Sequence, residues 1–187
     1  VMTNWNMPYW QTKQTKDYQN KLRGARSKAM GDAWEVMLSN ACDAYRKAGI
    51  ADIQKTPEPF RVTRNLGKGR FEGHFIHCAQ PDYKGIMMNG QGIIFEAKYT
   101  DHDRIMQNAV TETQSKNFER FQILGGLAYV MVCIQLKDFY RVPWNIWKSM
   151  KQLYGHKYMT SSDLEIYKVP CRENFVEILK GIENERN

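Results

Sequence analysis

Residues 92–98 read GIIFEAK, an apolar run that ends in two charged residues, Glu96 and Lys98. A short apolar run of this kind is typical of a buried β-strand. Side chains alternate between the faces of a strand, so Glu96 and Lys98 point the same way while Ala97 points the other. Charged groups at the end of a buried strand need a partner or a function. The run therefore predicts a central strand that presents a carboxylate and an ammonium group on one face.

A second carboxylate, Asp82, precedes this strand in the segment Pro81–Gly85, which reads PDYKG. Asp82 and Glu96 can bind one cation, since two carboxylates with water and a phosphate oxygen form a site that suits Mg²⁺ or Mn²⁺. Lys98 can then orient an attacking water molecule or stabilise charge on a phosphate. The alternative is an ordinary surface pair of Glu96 and Lys98, because short motifs often occur without a function. The pattern thus indicates the site of a metal-dependent nuclease.

The composition predicts a folded, basic protein. Of 187 residues, 42% are hydrophobic and 12% aromatic, and the formal net charge is +7. We expect a single nuclease domain over residues 29–187, preceded by a basic arm over residues 1–28 that is flexible or partly helical. The arm holds six basic residues and one acidic residue, Asp17. It can contact phosphates without reading sequence, or act only as a solvated tail.

Cysteine usage and the absence of long apolar runs predict a cytoplasmic protein. No run approaches the length of about 18 apolar residues that spans a membrane, and the first residues lack the apolar core of a signal peptide. The four cysteines are scattered without a Cys-x-x-Cys pair, which is typical of a reducing compartment.

Apolar spacing and turn residues predict helices that alternate with strands. The predicted helices are 29–48, 115–124, 144–153 and 173–182. The predicted strands are 51–55, 82–88, 92–99, 126–135, 139–143 and a short one around 166–169. Residues 60–80 form a stalk-like insertion with a basic turn at 65–70. This order predicts an α/β fold with a mixed central β-sheet flanked by helices.

Several segments resemble those of RecU-type Holliday-junction resolvases, in the same order and at similar spacings. They are Met30–Glu35 (MGDAWE), Ile53–Pro59 (IQKTPEP), Pro81–Gly85 (PDYKG), Ile94–Lys98 (IFEAK), Gln114 and Leu124–Tyr129 (LGGLAY). The segment between Lys55 and Asp82 is shorter than the stalk of that family, and the last third of the chain matches poorly. The shorter stalk and the divergent last third resemble a phage-encoded member of the family.

The resemblance implies a restriction-endonuclease-like core that acts as a homodimer on four-way DNA junctions with Mg²⁺ or Mn²⁺. It implies Asp82 and Glu96 as metal ligands, with the Ala97 carbonyl as a further oxygen donor. It implies that Lys98 positions the water molecule or meets the scissile phosphate. The expected location is the bacterial cytoplasm or a phage-infected cell, with recombination proteins as further partners.

Two further residues are catalytic candidates. Glu35, on the first predicted helix, can reach the metal through water or merely cap and solvate that helix. Gln114 is neutral, so we expect it to hydrogen-bond the water molecule or a phosphate. Its alternative role is that of a polar residue at the N-terminus of a helix.

The basic residues expected to contact DNA lie in the arm and around the stalk-like insertion. They are Arg23, Arg26, Lys55, Arg61, Arg64, Lys68 and Arg70. Because Phe60 and Phe71 lie nearby, the insertion can enter a junction and pack aromatic rings against exposed base pairs. The alternative is a basic surface hairpin without that role.

Together these features predict a structure-selective endodeoxyribonuclease that resolves four-way junctions by paired symmetric nicks. Two alternatives remain, a related nuclease that acts on other DNA structures and a non-catalytic branched-DNA-binding protein that modulates recombination. Acidic groups that face phosphates repel DNA unless a cation lies between them. The carboxylates therefore favour the enzyme over the binding protein.

Overall fold

The computed structural model describes residues 9–76 and 80–182, with side chains from residue 15 onward. Its helices are α1 (Tyr9–Lys47), α2 (Glu112–Ile123), α3 (Trp144–Lys148), α4 (Met150–Tyr154) and α5 (Ser161–Leu164). Its strands are β1 (Ala51–Lys55), β2 (Phe60–Gly67), β3 (Arg70–Phe75), β4 (Tyr83–Met87), β5 (Gly92–Thr100), β6 (Arg104–Met106), β7 (Leu127–Ile134), β8 (Asp138–Pro143), β9 (Tyr158–Thr160), β10 (Cys171–Arg172) and β11 (Phe175–Val176). Among the described helices, none is long and apolar enough to cross a membrane.

A five-stranded sheet, in the order β1-β4-β5-β7-β8, forms the centre of the molecule. Strands β5 and β7 run parallel, and the other neighbouring pairs are antiparallel. Helix α1 packs against one face of the sheet, and α2 with α3 packs against the other. This arrangement confirms the predicted mixed central sheet flanked by helices.

Alternation along β5 decides which face carries the charged residues. Phe95 packs into the core beneath α1, and Ile94 packs into the core beneath α2. Glu96 follows Ile94 by two positions, so it lies on the α2 face of the sheet. The buried strand that the sequence predicted therefore delivers Glu96 and Lys98 to the side on which α2 begins.

Strand β4 leaves part of β5 unpaired beside these residues. It begins at Tyr83, opposite Phe95, whereas β5 continues to Thr100. On the other side of β4, a Cβ atom on Gly85 would lie 2.1 Å from the backbone oxygen of Asp52. Only glycine allows β1 to approach β4 at this point, which accounts for the glycine in PDYKG.

Helix α1 already includes Tyr9, so the predicted start of the first helix at residue 29 is wrong. The prediction relied on apolar spacing, which begins only where the helix meets the sheet. Residues 15–26 are exposed and hold two lysines and two arginines, which have good helix propensity. The predicted arm is thus helical where it is described. Its mobility and the domain boundary at residue 28 stay predictions, and residues 1–8 lie outside the described part.

The predicted closing helix over residues 173–182 is wrong. A small hairpin of β10 and β11 occupies its first half. Arg141 on β8, which is only 8% exposed, donates from Nη1 to the carbonyl oxygens of Ile178 and Lys180, each at 2.8 Å. A distant side chain therefore satisfies carbonyl groups that a helix would have bonded locally, and apolar spacing gives no sign of such a donor.

Three smaller elements also differ from prediction. The expected strand around 166–169 is a short 3₁₀ turn, Glu165–Tyr167, followed by one isolated bridge. The helix expected over 144–153 divides at Ser149 into α3 and α4. The pairing of β6 with β9 was missed, because three-residue strands are too short to show alternation.

We expect Arg141→Met to lower the free energy of unfolding by about 2–4 kcal/mol, because it removes the donor from two carbonyl groups at the C-terminal end. Urea denaturation measures the change, with Arg172→Met as the matched control. Arg172 lies on the surface and pairs with Glu177 at 3.2 Å, so its loss is expected to cost less than about 1 kcal/mol. Equal losses for the two variants would contradict this account of Arg141.

Candidate active site

Glu96 is almost fully buried, with 1% of its surface exposed. Its Oε1 accepts hydrogen bonds from Nζ of Lys98 at 2.9 Å and from Nε2 of Gln114. Its Oε2 accepts a longer hydrogen bond, 3.3 Å, from the backbone N–H of Asp82. Two side-chain donors therefore hold Oε1, and Oε2 is turned toward Asp82.

Asp82 lies directly before β4, at the unpaired edge of β5. Its Oδ2 accepts a hydrogen bond from the backbone N–H of Ala97 at 2.9 Å. The N–H and C=O groups of one strand residue point to the same edge, so the Ala97 carbonyl also faces the side on which Asp82 lies. Strand β4 does not continue far enough to pair with that carbonyl. Oxygen atoms of Asp82, Glu96 and Ala97 thus meet at one edge of the sheet.

The two carboxyl groups depart from their ordinary acidity. Burial, and then the charge of Asp82, raises the pKa of Glu96 to about 7, against the opposing effect of Lys98. Burial also raises the pKa of Asp82, while the Ala97 N–H and Lys98 act to lower it. The backbone N–H of Asp82 bonds to Oε2 of Glu96, so the two carboxyl groups lie close together. Two acids this close, one buried and one half-buried, favour one shared proton in the free chain, and a divalent cation can take the place of that proton.

The donor set fits a hard cation. Carboxylate and carbonyl oxygens are the ligands that Mg²⁺ and Mn²⁺ prefer, and Mg²⁺ commonly uses one or two carboxylates together with substrate phosphates. Within residues 9–76 and 80–182 there is no cluster of three or more His, Cys, Asp or Glu side chains placed to hold a metal. Asp82 and Glu96 offer the carboxylates, and Ala97 the carbonyl oxygen, of such a donor set.

Gln114 reaches Glu96 from the first turn of α2, and Thr111 holds it there. The hydroxyl of Thr111 accepts a hydrogen bond from the backbone N–H of Gln114 at 3.3 Å. The Oε1 of Gln114 accepts hydrogen bonds from the N–H and the hydroxyl of Thr111, at 2.9 and 3.0 Å. This reciprocal arrangement is a capping box. Thr111 was not among the predicted site residues, although the Thr-x-x-Gln spacing that signals such a box is present in the sequence.

Glu35 and Lys55 form an ion pair on the outer side of the carboxylates. Glu35 lies close enough to Asp82 for its charge to contribute to the raised pKa of Asp82, after burial as the main cause. The hydroxyl of Tyr83 donates to the backbone oxygen of Glu35 at 2.8 Å and so ties α1 to β4. Glu35 contacts Lys55 rather than Glu96, so its place is at the rim of the site.

Within the stalk-like insertion, β2 and β3 form a β-hairpin over residues 60–75, which turns at Lys68 and Gly69. Residues 77–79 of the predicted insertion lie outside the described residues. Every residue of β2 is exposed. The basic side chains predicted to contact DNA are also exposed, namely Arg61, Arg64, Lys68 and Arg70. This confirms the predicted basic hairpin as a structure, and its role in binding stays a prediction.

The hairpin projects from the end of the sheet that carries the carboxylates. Lys55 at the end of β1 lies opposite Tyr83, which lies opposite Phe95 in β5. Strand β1 therefore runs parallel to β5 and leads into the hairpin at the level of Glu96. A groove of about 390 Å³ separates the hairpin base from the carboxylates. It is lined by residues 56–59, 75, 76 and 80–82 and by Gln114.

Arg23 and Arg26 lie at a second groove, between α1 and the last residues of β5. This groove has a volume of about 850 Å³, and Tyr99, His102 and Lys137 line its opposite wall. Tyr99 packs on the α1 side of the sheet, whereas Glu96 and Lys98 lie on the α2 face. The predicted basic residues therefore lie at two separate grooves, of which the first is lined by Asp82 and the second by neither carboxylate.

The structure brings together all five side chains predicted for catalysis. Hydrogen bonds link the side chains of Glu96, Lys98 and Gln114, and the backbone N–H of Asp82 bonds to Glu96. Glu35 lies at the rim, where its charge acts on Asp82. Their roles in catalysis, metal binding and DNA binding stay predictions.

Comparison with known proteins agrees with the resemblance seen in the sequence. A "Holliday junction resolvase RecU" from Streptococcus gordonii is 28% identical over 145 residues, which are 70% of this chain and 64% of that relative. A relative of the same description from Lactobacillus delbrueckii subsp. bulgaricus is 24% identical over 183 residues, which are 87% of this chain and 81% of that relative. The match thus spans just under two thirds of the Streptococcus gordonii relative.

This chain is also similar to a solved structure and to the model of a protein family. Archaeoglobus fulgidus Hjc, described as a Holliday junction resolvase from an archaeal hyperthermophile, superposes with a TM-score of 0.45 at 12% identity. The superposition covers 72% of this chain and 92% of that one. The model of the RecU family, "Recombination protein U", matches residues 29–184. Because that match covers most of the chain, the protein belongs to the RecU family.

Proposed function

We propose that this protein is an endonuclease that resolves four-way DNA junctions by paired symmetric nicks and requires Mg²⁺ or Mn²⁺. The observation that carries the proposal is the pair of the half-buried Asp82 and the buried Glu96, with Lys98 hydrogen-bonded to the Glu96 carboxylate. Membership of the RecU family and the Holliday-junction resolvases among its relatives support the choice of substrate. A protein that only binds DNA has no use for buried acids at a basic surface, because they repel phosphates.

The Asp82 and Glu96 carboxylates and the Ala97 carbonyl are the groups that would hold the cation. When bound, the cation supplies Lewis-acid chemistry, lowering the pKa of a water molecule and polarising the phosphate. Lys98 acts to lower the pKa of Glu96, and it would place an ammonium group beside the reacting phosphate. Gln114 donates to the same oxygen of Glu96 as Lys98 and so helps to fix the carboxylate. These contacts make the site rigid before the substrate arrives, which reduces the reorganisation needed for the reaction.

A second copy of the chain is needed for paired nicks. We propose a homodimer whose two-fold axis coincides with that of the junction, so that each copy cuts one strand of a symmetric pair. The exposed hairpin and the Arg23 and Arg26 region would contact phosphates around the branch, and Lys55 would do so after leaving Glu35. We further propose that the protein works in the cytoplasm with recombination proteins of the bacterial host.

Cleavage of a labelled four-way junction beside a linear duplex of the same arms tests the proposal. In Mg²⁺ we expect nicks at symmetric positions on two opposed strands of the junction, little cutting of the duplex and no cutting in EDTA. Equal cutting of both substrates would identify a nuclease without junction preference. Tight junction binding in Ca²⁺ with no cutting in Mg²⁺ or Mn²⁺ would leave a binding protein instead.

Removing the basic side chains of the hairpin is expected to weaken junction binding and to reduce its dependence on salt. The variant combines alanine at Arg61, Arg64, Lys68 and Arg70. For each side chain that contacts a phosphate, the slope of log affinity against log salt should become less steep by about 0.9. The control variant removes four basic residues at the other side of the molecule, Lys151, Lys168, Arg172 and Lys180. A slope as steep as that of the wild type in the hairpin variant would exclude a phosphate-binding role for the hairpin.

Stabilisation of the protein by the cation is expected to increase as the pH rises through about 7. Because the pKa of Glu96 is raised to about 7, its carboxyl group keeps a proton below that pH, and the cation must displace it. Affinity then falls by about tenfold for each pH unit below 7. Without the cation, the raised pKa makes the folded chain less stable as the pH rises. The folded chain holds the Glu96 proton more tightly than the unfolded chain does, so stability falls between the ordinary pKa of a glutamate and about 7.

The measurement is the rise in Tm that Mg²⁺ produces, at about pH 6 and about pH 8. We expect the larger rise at the higher pH. Glu96→Gln is the control, since it has no proton to displace and should show little rise at either pH. An equal rise at both pH values in the wild type would show that Glu96 does not bind the cation through its titrating carboxylate.

A further inference from the structure

Thr111 presents two hydrogen-bond donors to one atom of Gln114. Its backbone N–H lies 2.9 Å and its hydroxyl oxygen 3.0 Å from Oε1 of Gln114. A carboxamide has one end that only accepts hydrogen bonds and another that only donates them. Two donors on Oε1 therefore decide which end of the amide faces Thr111, and the NH₂ group must face the other way.

The other end of the amide faces the buried carboxylate. Nε2 of Gln114 donates to Oε1 of Glu96, the same oxygen that accepts from Lys98. Both side-chain donors thus occupy one oxygen, and Oε2 is left on the side of Asp82. If the amide turned over, its carbonyl oxygen would face the Glu96 carboxylate, and the two acceptors would repel each other.

We propose that Thr111 is a positioning residue for the reaction, which holds Gln114 so that its NH₂ group secures Oε1 of Glu96 and directs Oε2 toward the cation. The inference rests on the proposed function. Thr111 itself touches neither the cation nor the phosphate on this account. It acts through Gln114, in the way that outer hydrogen bonds orient the ligands of many metal sites.

A capping box also stabilises the start of a helix, so the test must separate that effect from positioning. Thr111→Asp makes the separation, because aspartate caps helices at least as well as threonine and its charge favours a helix N-terminus. Its carboxylate has no hydrogen to donate to Oε1 and instead attracts the NH₂ group of Gln114. The variant keeps the cap and turns the amide away from Glu96. Thr111→Ser is the matched control, which retains both donors.

Three quantities are measured for each variant: the Tm without a cation, the concentration of Ca²⁺ or Mg²⁺ that gives half of the full rise in Tm, and the rate of junction cleavage. For Thr111→Asp we expect a Tm close to that of the wild type, about a tenfold higher half-saturating concentration and about a tenfold slower cleavage. Thr111→Ser should resemble the wild type in all three. Thr111→Val removes the hydroxyl without adding charge. If the aspartate variant does not fold, Thr111→Val tests whether the hydroxyl is needed for cation binding and cleavage.

The outcomes separate this inference from the function on which it rests. A Thr111→Asp protein that binds the cation and cuts as the serine variant does would overturn the positioning role and leave the nuclease intact. If Thr111→Asp is unfolded, unchanged half-saturation and cleavage in Thr111→Val overturn the role. A wild type that shows neither a cation-dependent rise in Tm nor cleavage overturns the proposed function, and the inference falls with it.

Discussion

Glu96→Gln is expected to slow junction cleavage by at least about a thousandfold, while the affinity for the junction in Ca²⁺ stays within about threefold of the wild type. Glutamine has nearly the same shape, so it fits the buried position on β5. It carries no charge to balance a divalent cation, and it offers an amide to Lys98 and Gln114, both of which donate to Glu96. The expected loss is therefore chemical rather than structural.

The comparison needs single-turnover cleavage with the protein in excess over the junction, so that binding does not limit the rate. Asp82→Asn should show a loss of similar size, because Asp82 lies on the other side of the same cation site. Asp103→Asn is the control, since Asp103 is exposed in the loop that follows β5. A cleavage rate within tenfold of the wild type in Glu96→Gln would show that this carboxylate is not a ligand of the catalytic cation.

Lys98→Arg is expected to slow cleavage by about a hundredfold or more, although it keeps the positive charge. The ammonium group of Lys98 lies 2.9 Å from Oε1 of Glu96, and its side chain is 22% exposed. A guanidinium group is larger and planar, so it cannot occupy the same point between Glu96 and a phosphate. The variant therefore tests whether cleavage needs an ammonium group at this exact position or only a positive charge near it.

Lys98→Met serves as the matched variant, because it removes the charge and keeps the aliphatic stem. We expect the arginine and methionine variants to lose similar amounts of activity, with junction binding close to that of the wild type. If Lys98→Arg retains most of the activity and Lys98→Met loses it, general charge on this face is sufficient. That pattern would refute the specific role given to the ammonium group.

The central strands could be predicted from the sequence because their signals are local. The run at residues 92–98 and the turn at residues 89–91 are contiguous, and the structure places a strand and a hairpin there. The first helix and the C-terminal segment were predicted wrongly, because apolar spacing does not determine their structure. The start of α1 carries polar residues without an apolar stripe, and the last segment is held by Arg141 from a distant strand. Neither signal is visible in apolar spacing.

The residues of the candidate site could also be predicted only in part. Asp82, Glu96 and Lys98 could be found because strand alternation and short spacing place them together, and the resemblance to a family added Gln114 and Glu35. The sequence did not show that Gln114 bonds Glu96 directly, nor that Glu35 pairs with Lys55. Those contacts depend on how α1 and α2 pack on opposite faces of the sheet, which is a property of the tertiary structure.

Mn²⁺ binding, measured by electron paramagnetic resonance at about pH 8, tests the central claim that Asp82 and Glu96 together hold the catalytic cation. At this pH the Glu96 carboxylate is ionised, since its pKa is raised only to about 7. We expect saturable binding by the wild type and by Asp103→Asn, and a loss of affinity of at least about tenfold in both Asp82→Asn and Glu96→Gln. Binding by those two variants with the affinity of the wild type would contradict the account.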